Sequence, residues 1–575
     1  MRGIPRHGLS LWLLLVLAVA GGIVQAAPKY VDSKPLTALV TTPVGEVGSG
    51  RTLVPIITWG GDIATILANG NHRRTTKDSL FGRLGLDLEL VREDKFPKQL
   101  ESYLAGKSPY LRGTLGMVNM AAELLAKDPR TKPVVIYQLT WSAGGDALVV
   151  KPGILSAKDL KGKTVALQAY GPHVDYLTKI LGDAGLGPKD VTLRWTADLT
   201  GSGETPMAAL REGNVDAIIT ITPDALALTS NGTVGTGSED SVKGARILLS
   251  TKTASRIIAD VYAVRADYLA SQRPKVEAFV QGLTQGQVEL KQWVAARQTQ
   301  AANYRQLMGA AAELLLDSPQ ATKDAEGLYD DADFVGFDGN REFFANPNFP
   351  RGLTRLNGEI QPAFAALGLI KGGLSLDQAR WDYDKMGQGM AGMSGQASQR
   401  FDTGQVAAVV TRKQQQGTLD QGQLFSFEIF FKPNQNSFSA DLYKDAFDKV
   451  INLASTYGGA IITVEGHSDP MGYLRKKSEG ESEMVLGRIK QSAKNLSLSR
   501  AVAVRDSILA HAQAAGVPLD PSQFAVVGQG IANPKSGLCG GEPCNPKTER
   551  DWRDNMRVEF RVLQVEAEDS VFKPL

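Results

Sequence analysis

Between Arg51 and about Lys385, short apolar runs alternate with stretches of helical periodicity, and this alternation constrains the fold more than any other feature. Val54-Pro55-Ile56-Ile57, Pro133-Val134-Val135-Ile136-Tyr137, Thr164-Val165-Ala166-Leu167 and Asp216-Ala217-Ile218-Ile219 read as buried strands. Leu177 to Leu181, Met207 to Leu210 and Val276 to Gln285 read as the helices between them. Such alternation predicts α/β layers with largely parallel sheets. At 575 residues the chain is too long for one core, so two to four domains are expected.

Composition excludes several classes. Hydrophobic content of 43% and charged content of 22% are ordinary for a globular protein. A net charge of +2 offers no bulk attraction to nucleic acid or to an anionic membrane. Five scattered histidines and two cysteines form no cluster with metal-ligand spacing, so neither metal nor cofactor is expected. There is no Gly-x-Ser-x-Gly elbow, Walker-type loop or His-Glu-x-x-His, and the chain does not read as an enzyme. Gly232-Thr233-Val234-Gly235-Thr236-Gly237 is Gly-rich, but no strand leads into it, so it reads as a surface loop.

Arg2 and Arg6 precede an apolar run from Leu9 to Val24, and Gln25-Ala26-Ala27-Pro28 follows. Residues 1–27 therefore read as a secretory signal cleaved after Ala26 or Ala27; the alternative is an uncleaved inner-membrane anchor. Cys539 and Cys544 flank a Gly- and Pro-rich turn, and in an oxidising compartment they are expected to form a local disulfide. Residues 386–424, with Gly387-Gln388-Gly389-Met390 and Gln414-Gln415-Gln416-Gly417, read as a flexible linker, with room for a short helix near Val406 to Val410.

Three phrases in the first two-thirds carry a resemblance. They are Gln138-Leu139-Thr140-Trp141-Ser142-Ala143-Gly144-Gly145-Asp146, Asp159-Leu160-Lys161-Gly162-Lys163-Thr164-Val165 and Ala208-Ala209-Leu210-Arg211-Glu212-Gly213-Asn214-Val215-Asp216. Together they resemble the substrate-binding proteins of taurine, nitrate and sulfonate type ABC importers. The resemblance implies a two-lobed periplasmic-binding fold over residues 50–385. The chain should cross between lobes near 148–152 and 257–264. Ligands of such lobes lie at the carboxyl ends of strands, where helix starts favour anions. The matching loops supply Trp59, Gly60, Asn119, Trp141, Ser142, Gln168, Tyr170 and Thr222 as candidate solute contacts. Each has a plainer reading. Trp59 and Trp141 read equally as core, Ser142-Ala143-Gly144 as a turn, Asp62 and Asp224 as helix caps, and His173 as structural.

Ile461-Ile462-Thr463-Val464-Glu465-Gly466-His467-Ser468-Asp469, then Leu496-Ser497-Leu498-Ser499-Arg500-Ala501, then Asn555-Met556-Arg557-Val558, occur in that order. These blocks resemble the OmpA-like peptidoglycan-binding domain over residues 425–565, a smaller α+β unit. The resemblance implies contact with the diaminopimelate of peptidoglycan. Asp469 would meet its ammonium and Arg500 its carboxylate, with Arg557 and Asn434 bordering the pocket. Ser497 reads as an N-cap, which puts Arg500 in the first helical turn. Met556 stands where the family has Arg, and Ala493 where it has Asn. The Asp469-to-Arg500 spacing is longer than usual, the insert running from Tyr473 to Lys494.

The combined reading is a periplasmic solute-binding protein of an ABC-type uptake or sensing system, held non-covalently at the cell wall and outer membrane. Its partners would be peptidoglycan, a small anionic or zwitterionic solute, and an ABC permease or another envelope protein. The alternatives are an envelope scaffold with a degenerate solute site and, least favoured, an enzyme on a related fold.

Overall fold

The computed structural model describes residues 29–212, 215–238, 240–388, 401–419, 423–430 and 440–564. The expected leader, most of the Gly- and Met-rich part of the linker, and Asn434 lie outside the described residues.

Two sheets organise the first 380 residues. One has five strands: Ala332–Phe334, Pro133–Ser142, Ala259–Arg265 and Tyr110–Thr114 in that order, with Asp377–Gln378 also pairing on Pro133–Ser142. The other has six, in the order Tyr30–Val31, Thr192–Thr196, Thr164–Gln168, Ala217–Ile221, Asp146–Val150 and Arg246–Ser250. A separate parallel pair joins Thr52–Ile56 to Leu88–Arg92. All ten residues of Pro133–Ser142 are buried, as an almost continuous apolar run requires when helices cover both faces.

The sheets are mixed rather than largely parallel. Thr164–Gln168 runs parallel to both neighbours, but Asp146–Val150 and Ala259–Arg265 are antiparallel to theirs. The reason is the chain path. One strand leaves the first sheet through 143–145 to enter the second, and another returns through 251–258. The outgoing and returning chains run in opposite senses, so they cannot all align with strands built by helical crossovers. Both crossings fall slightly ahead of the segments expected, 148–152 and 257–264, whose residues mostly lie within or beside strands.

A four-stranded sheet forms the C-terminal unit, ordered Gln423–Phe430, Arg557–Leu563, Ile461–His467 and Phe524–Gly530. Only the last two are parallel to each other. Helices Ala440–Thr456 and Glu483–Ala514 belong to this unit. Against the sheet lies a helix drawn from the expected linker, Thr403–Gln416. Asp402 caps it by accepting from Gly404 and Gln405 N–H, and Gly417 ends it in a left-handed conformation (φ 66°). Val406, Val409 and Val410 pack on Ile461, Ala525, Val527 and Leu563. Burying a valine contributes up to about 1.5–3 kcal/mol, enough to hold so short a helix in place. One apolar cluster then runs from Val118, Leu148 and Leu177 of the body into Phe447, Ile451 and Tyr457 of the C-terminal unit.

Candidate functional site

Where the chain crosses between the two sheets, buried polar groups bind both crossings together. Ser142 Oγ donates to Asp146 Oδ2 (2.6 Å) and meets Thr251 Oγ1 (2.9 Å). Thr251 Oγ1 in turn accepts from Gly144 and Asp146 N–H, each at 3.1 Å. Asp146 Oδ1 lies 2.7 Å from His173 Nε2, and both residues are buried. His173 immediately precedes the helix Val174–Asp183. Thr222 opens the helix Thr222–Leu228; its N–H donates to Gly145 O (2.8 Å) and its hydroxyl to Gly144 O.

Trp59, in the loop after the strand Thr52–Ile56 of the separate parallel pair, reaches the same place. Its Nε1 donates to Thr140 Oγ1 (2.9 Å), and a Cβ added to Gly145 would lie 2.5 Å from its ring. Thr140 bonds Asp260 (2.8 Å), and Arg112 bridges Asp260 (2.9 Å) and Asp62 (3.1 Å), all three charges buried. Asp62 is thus an ion-pair partner that also accepts from Ile57 N–H at 3.1 Å. Gly60 is required by close approach, since a Cβ there would fall 1.8 Å from Leu328 O.

The remaining candidates are dispersed. Gln168 ends its strand, and Tyr170, at φ 59°, donates from its hydroxyl to Lys34 O (2.7 Å). Trp141 is 4% exposed and packs edge-on to Phe343, so it belongs to the core. Asn119 sits inside the helix Leu115–Leu125, where it bonds Leu115 O, Asn357 and Gln361 and ties that helix to Leu353–Ala366. Trp59, Gly60, Ser142 and Thr222 converge on the crossings; Asn119 and Trp141 do not.

Sequence reasoning passed over the acids. Asp331 lies against Gly144, and burial, then Asp146, pushes its carboxyl up to about 7. Asp175 is 4% exposed and packs against Gly116 at the start of the facing helix; burial lifts its carboxyl to about 7 as well. The signal was present in Val174-Asp175-Tyr176-Leu177, an acid embedded in an apolar stretch.

In the C-terminal unit, Gly466 lets a helix backbone press on its strand: an added Cβ would meet Ser497 O at 1.9 Å. Ser497 is not an N-cap. Glu483–Ala514 is one continuous helix capped by Ser482, and the Tyr473-to-Lys494 insert supplies its opening turns, as far as Lys494, together with most of the helix Met471–Ser478. Ser497 is buried mid-helix, donating to Lys494 O (2.8 Å) and accepting from Gly530 N–H (2.9 Å). Arg500 therefore lies in the helix interior, not its first turn.

Asp469 follows Ile461–His467. One carboxylate oxygen accepts from Met471 N–H (3.0 Å) and the other has no partner of good geometry. Burial raises its pKa, opposed by the Met471 N–H, Trp552 and Asn555. Arg500 Nε also lacks a partner, and burial lowers the guanidinium's pKa. Arg557 is 5% exposed and already engaged, by Glu428 (2.9 Å) and by Asn533 O (3.2 Å), in a ladder that continues through Glu559, Arg561 and Glu465. Cys539 and Cys544 are disulfide-bonded with Cα atoms 5.0 Å apart. Glu542, inside that loop, accepts from the Tyr473 hydroxyl of the insert (2.8 Å).

Among the described residues no helix is long and apolar enough to cross a membrane, and no group of three or more His, Cys, Asp or Glu could hold a metal ion. Residues 80–293 match the family described as NMT1/THI5 like. No curated protein matches the chain. Solved structures similar to it include the periplasmic aliphatic sulphonate binding protein SsuA from Escherichia coli, at 17% identity and TM-score 0.39 over 58% of this chain and 93% of that one. The alkanesulfonate-binding protein SsuA from Xanthomonas axonopodis pv. citri, bound to MOPS, is similar at 16% identity and TM-score 0.38 over 57% and 98%. The periplasmic nitrate-binding protein NrtA from Synechocystis PCC 6803 is similar at 11% identity and TM-score 0.39 over 62% and 94%.

Proposed function

We propose that the chain is a binding protein of the cell envelope rather than an enzyme: a two-lobed receptor for a small solute, joined to an OmpA-like anchor for peptidoglycan. The observation that carries the receptor reading is the meeting of helix starts and acids at the paired crossings. Leu115–Leu125 and Val174–Asp183 begin there, and Asp146 and Asp331 stand beside the crossing at 143–145. Helix starts favour an anionic group and the acids favour a cationic one, so a zwitterion such as an amino acid or amino-sulfonate satisfies both. The family match over residues 80–293 supports the same reading. The crossings at 143–145 and 251–258 would serve as hinges for closure, with uptake through an ABC permease or sensing as the output.

Asp469 and Arg500 support the anchor. They are half-buried charges of opposite sign, each incompletely satisfied, on a mixed α+β domain. The ammonium and carboxylate of diaminopimelate would complete them. Residues 1–27 would direct the chain to the periplasm.

Native mass spectrometry of the full secreted chain against amino acids, amino-sulfonates and nitrate, paired with solution scattering, tests the receptor half. A stoichiometric mass increment with a smaller radius of gyration is expected. One observation favours a scaffold role instead: Trp59 packs on Gly145 and Leu328 O on Gly60, so protein atoms already fill part of the crossing. A panel that produces neither increment nor closure assigns that role.

A further inference from the structure

A cavity lies in the groove between the helices Val174–Asp183 and Leu353–Ala366, beside the returning crossing at Ile257. It measures about 390 Å³ and is walled mainly by hydrocarbon, including Leu186, Ile257, Leu356, Ile360 and Ala363. At about 30 Å³ per water-sized group, it takes a ligand of roughly a dozen non-hydrogen atoms.

The charged groups lining this groove are unevenly satisfied. Lys179 pairs with Asp183 (2.8 Å) and lies 3.8 Å from Glu359; Arg351 pairs with Glu359 (2.7 Å). Asp183 also accepts from the Tyr457 hydroxyl (2.8 Å). Both cations thus have carboxylate partners within the groove, whereas Asp175 has no ion pair of its own. Its side chain is 4% exposed, lines the cavity, and neither oxygen has a hydrogen-bond partner. Its own N–H and that of Tyr176 approach outside hydrogen-bonding geometry, and the Arg351 charge acts on it from beyond contact distance. A buried carboxylate without donors costs several kcal/mol, and a structure retains such a group where something else completes it.

We propose that this groove binds a small organic cation, an ammonium or amidinium on a hydrocarbon or aromatic body, with Asp175 as its counter-ion. The apolar walls take the body, and the donors of the head group fill the two empty acceptors of Asp175. The protonation behaviour of Asp175 agrees: burial lifts its carboxyl to about 7, and a bound cation would favour the ionised form.

The test uses the full chain, with benzamidine as the cationic probe and benzoate as its isosteric anion, by calorimetric titration at pH 8. Benzamidine is expected to bind saturably with one site per chain, and benzoate not to bind. Asp175→Asn keeps the shape and removes the charge, and should weaken benzamidine at least tenfold. Gly182→Phe provides a second variant. Gly182 lines the groove, and a Cβ there meets nothing within 4 Å, so the ring fills the cavity without disturbing Asp175. It too should abolish binding, while sedimentation with peptidoglycan stays at the wild-type level. Equal affinity for benzamidine and benzoate, unchanged binding in either variant, or no saturable binding of benzamidine to the wild type overturns the proposal.

Discussion

Gly459 lies so close to Lys252 that a Cβ added to the glycine would fall 1.8 Å from the lysine carbonyl oxygen. The Gly459 N–H also donates to Thr253 O (3.1 Å), and Arg256 N–H donates to Thr456 O (3.2 Å). The C-terminal unit thus rests on 251–258, the returning crossing between the two sheets. Asn346 and Asn348 add side-chain bonds to Gly516 O and Ala515 O. Gly459→Val should undock the units, because two backbones that touch have no side chain to move aside. The overlap costs about 1–3 kcal/mol. Solution scattering is expected to show a larger radius of gyration; an unchanged profile would mean that this contact does not hold the units together.

Asp469 and Arg500 carry the proposed wall contact. Asp469→Ala and Arg500→Ala should each lose co-sedimentation with diaminopimelate-type peptidoglycan while circular dichroism stays native. Removing one member of a charge-assisted contact costs about 2–5 kcal/mol, or at least thirtyfold in affinity. Arg557→Ala should behave differently. It breaks the ladder with Glu428 and so should lower stability as well as binding.

Arg112 stands between two buried carboxylates. Replacing it with methionine leaves Asp62 and Asp260 facing each other without a cation, which should destabilise the body by about 3–5 kcal/mol. Denaturant melts followed by tryptophan fluorescence would measure this. A loss below about 1 kcal/mol would show that water or rearrangement compensates the acids.

His467 gives the C-terminal unit an acid sensitivity. Burial, then Arg557 and Arg561, hold its imidazole down at about 3, against about 6.5 in the unfolded chain. Between those values the unfolded chain binds the proton and the folded one does not. This contribution is therefore complete above pH 6.5 and is lost progressively as the pH falls. At pH 5.5 it is down by about 1.4 kcal/mol. His467→Gln should flatten that part of the stability profile, read from the unfolding midpoint of the C-terminal transition at pH 7.5 and 5.5. Parallel profiles for the two proteins would contradict the assignment.

Local signals carried much of this architecture. The runs at 54–57, 133–137, 164–167 and 216–219 lie in or overlap strands, and those at 177–181, 207–210 and 276–285 lie in helices. Period and composition are properties of neighbours in the chain, so they survive without knowledge of the fold. The nearness of Cys539 to Cys544 is of the same kind, a turn a few residues long.

What the tertiary structure decided are matters of partnership between distant segments. Strand direction in the sheets followed from where the chain crosses, which no single run encodes. Ser497 resembles a cap because serine hydroxyls compete for backbone groups, but the same hydroxyl is equally satisfied mid-helix by Lys494 O and Gly530 N–H, and only the packing of strand 524–530 selects the second. Trp141 and Asn119 fitted a cleft by position in their loops, yet Phe343, Asn357 and Gln361 arrive from more than 200 residues away and take them into the core. Asp175 shows the converse. Its sequence marks a buried acid, but that it lines a groove beside Ile360 and Ala363 with its oxygens unmatched depends on a helix almost 180 residues further along, and burial energetics are set by what surrounds a group, not by what precedes it.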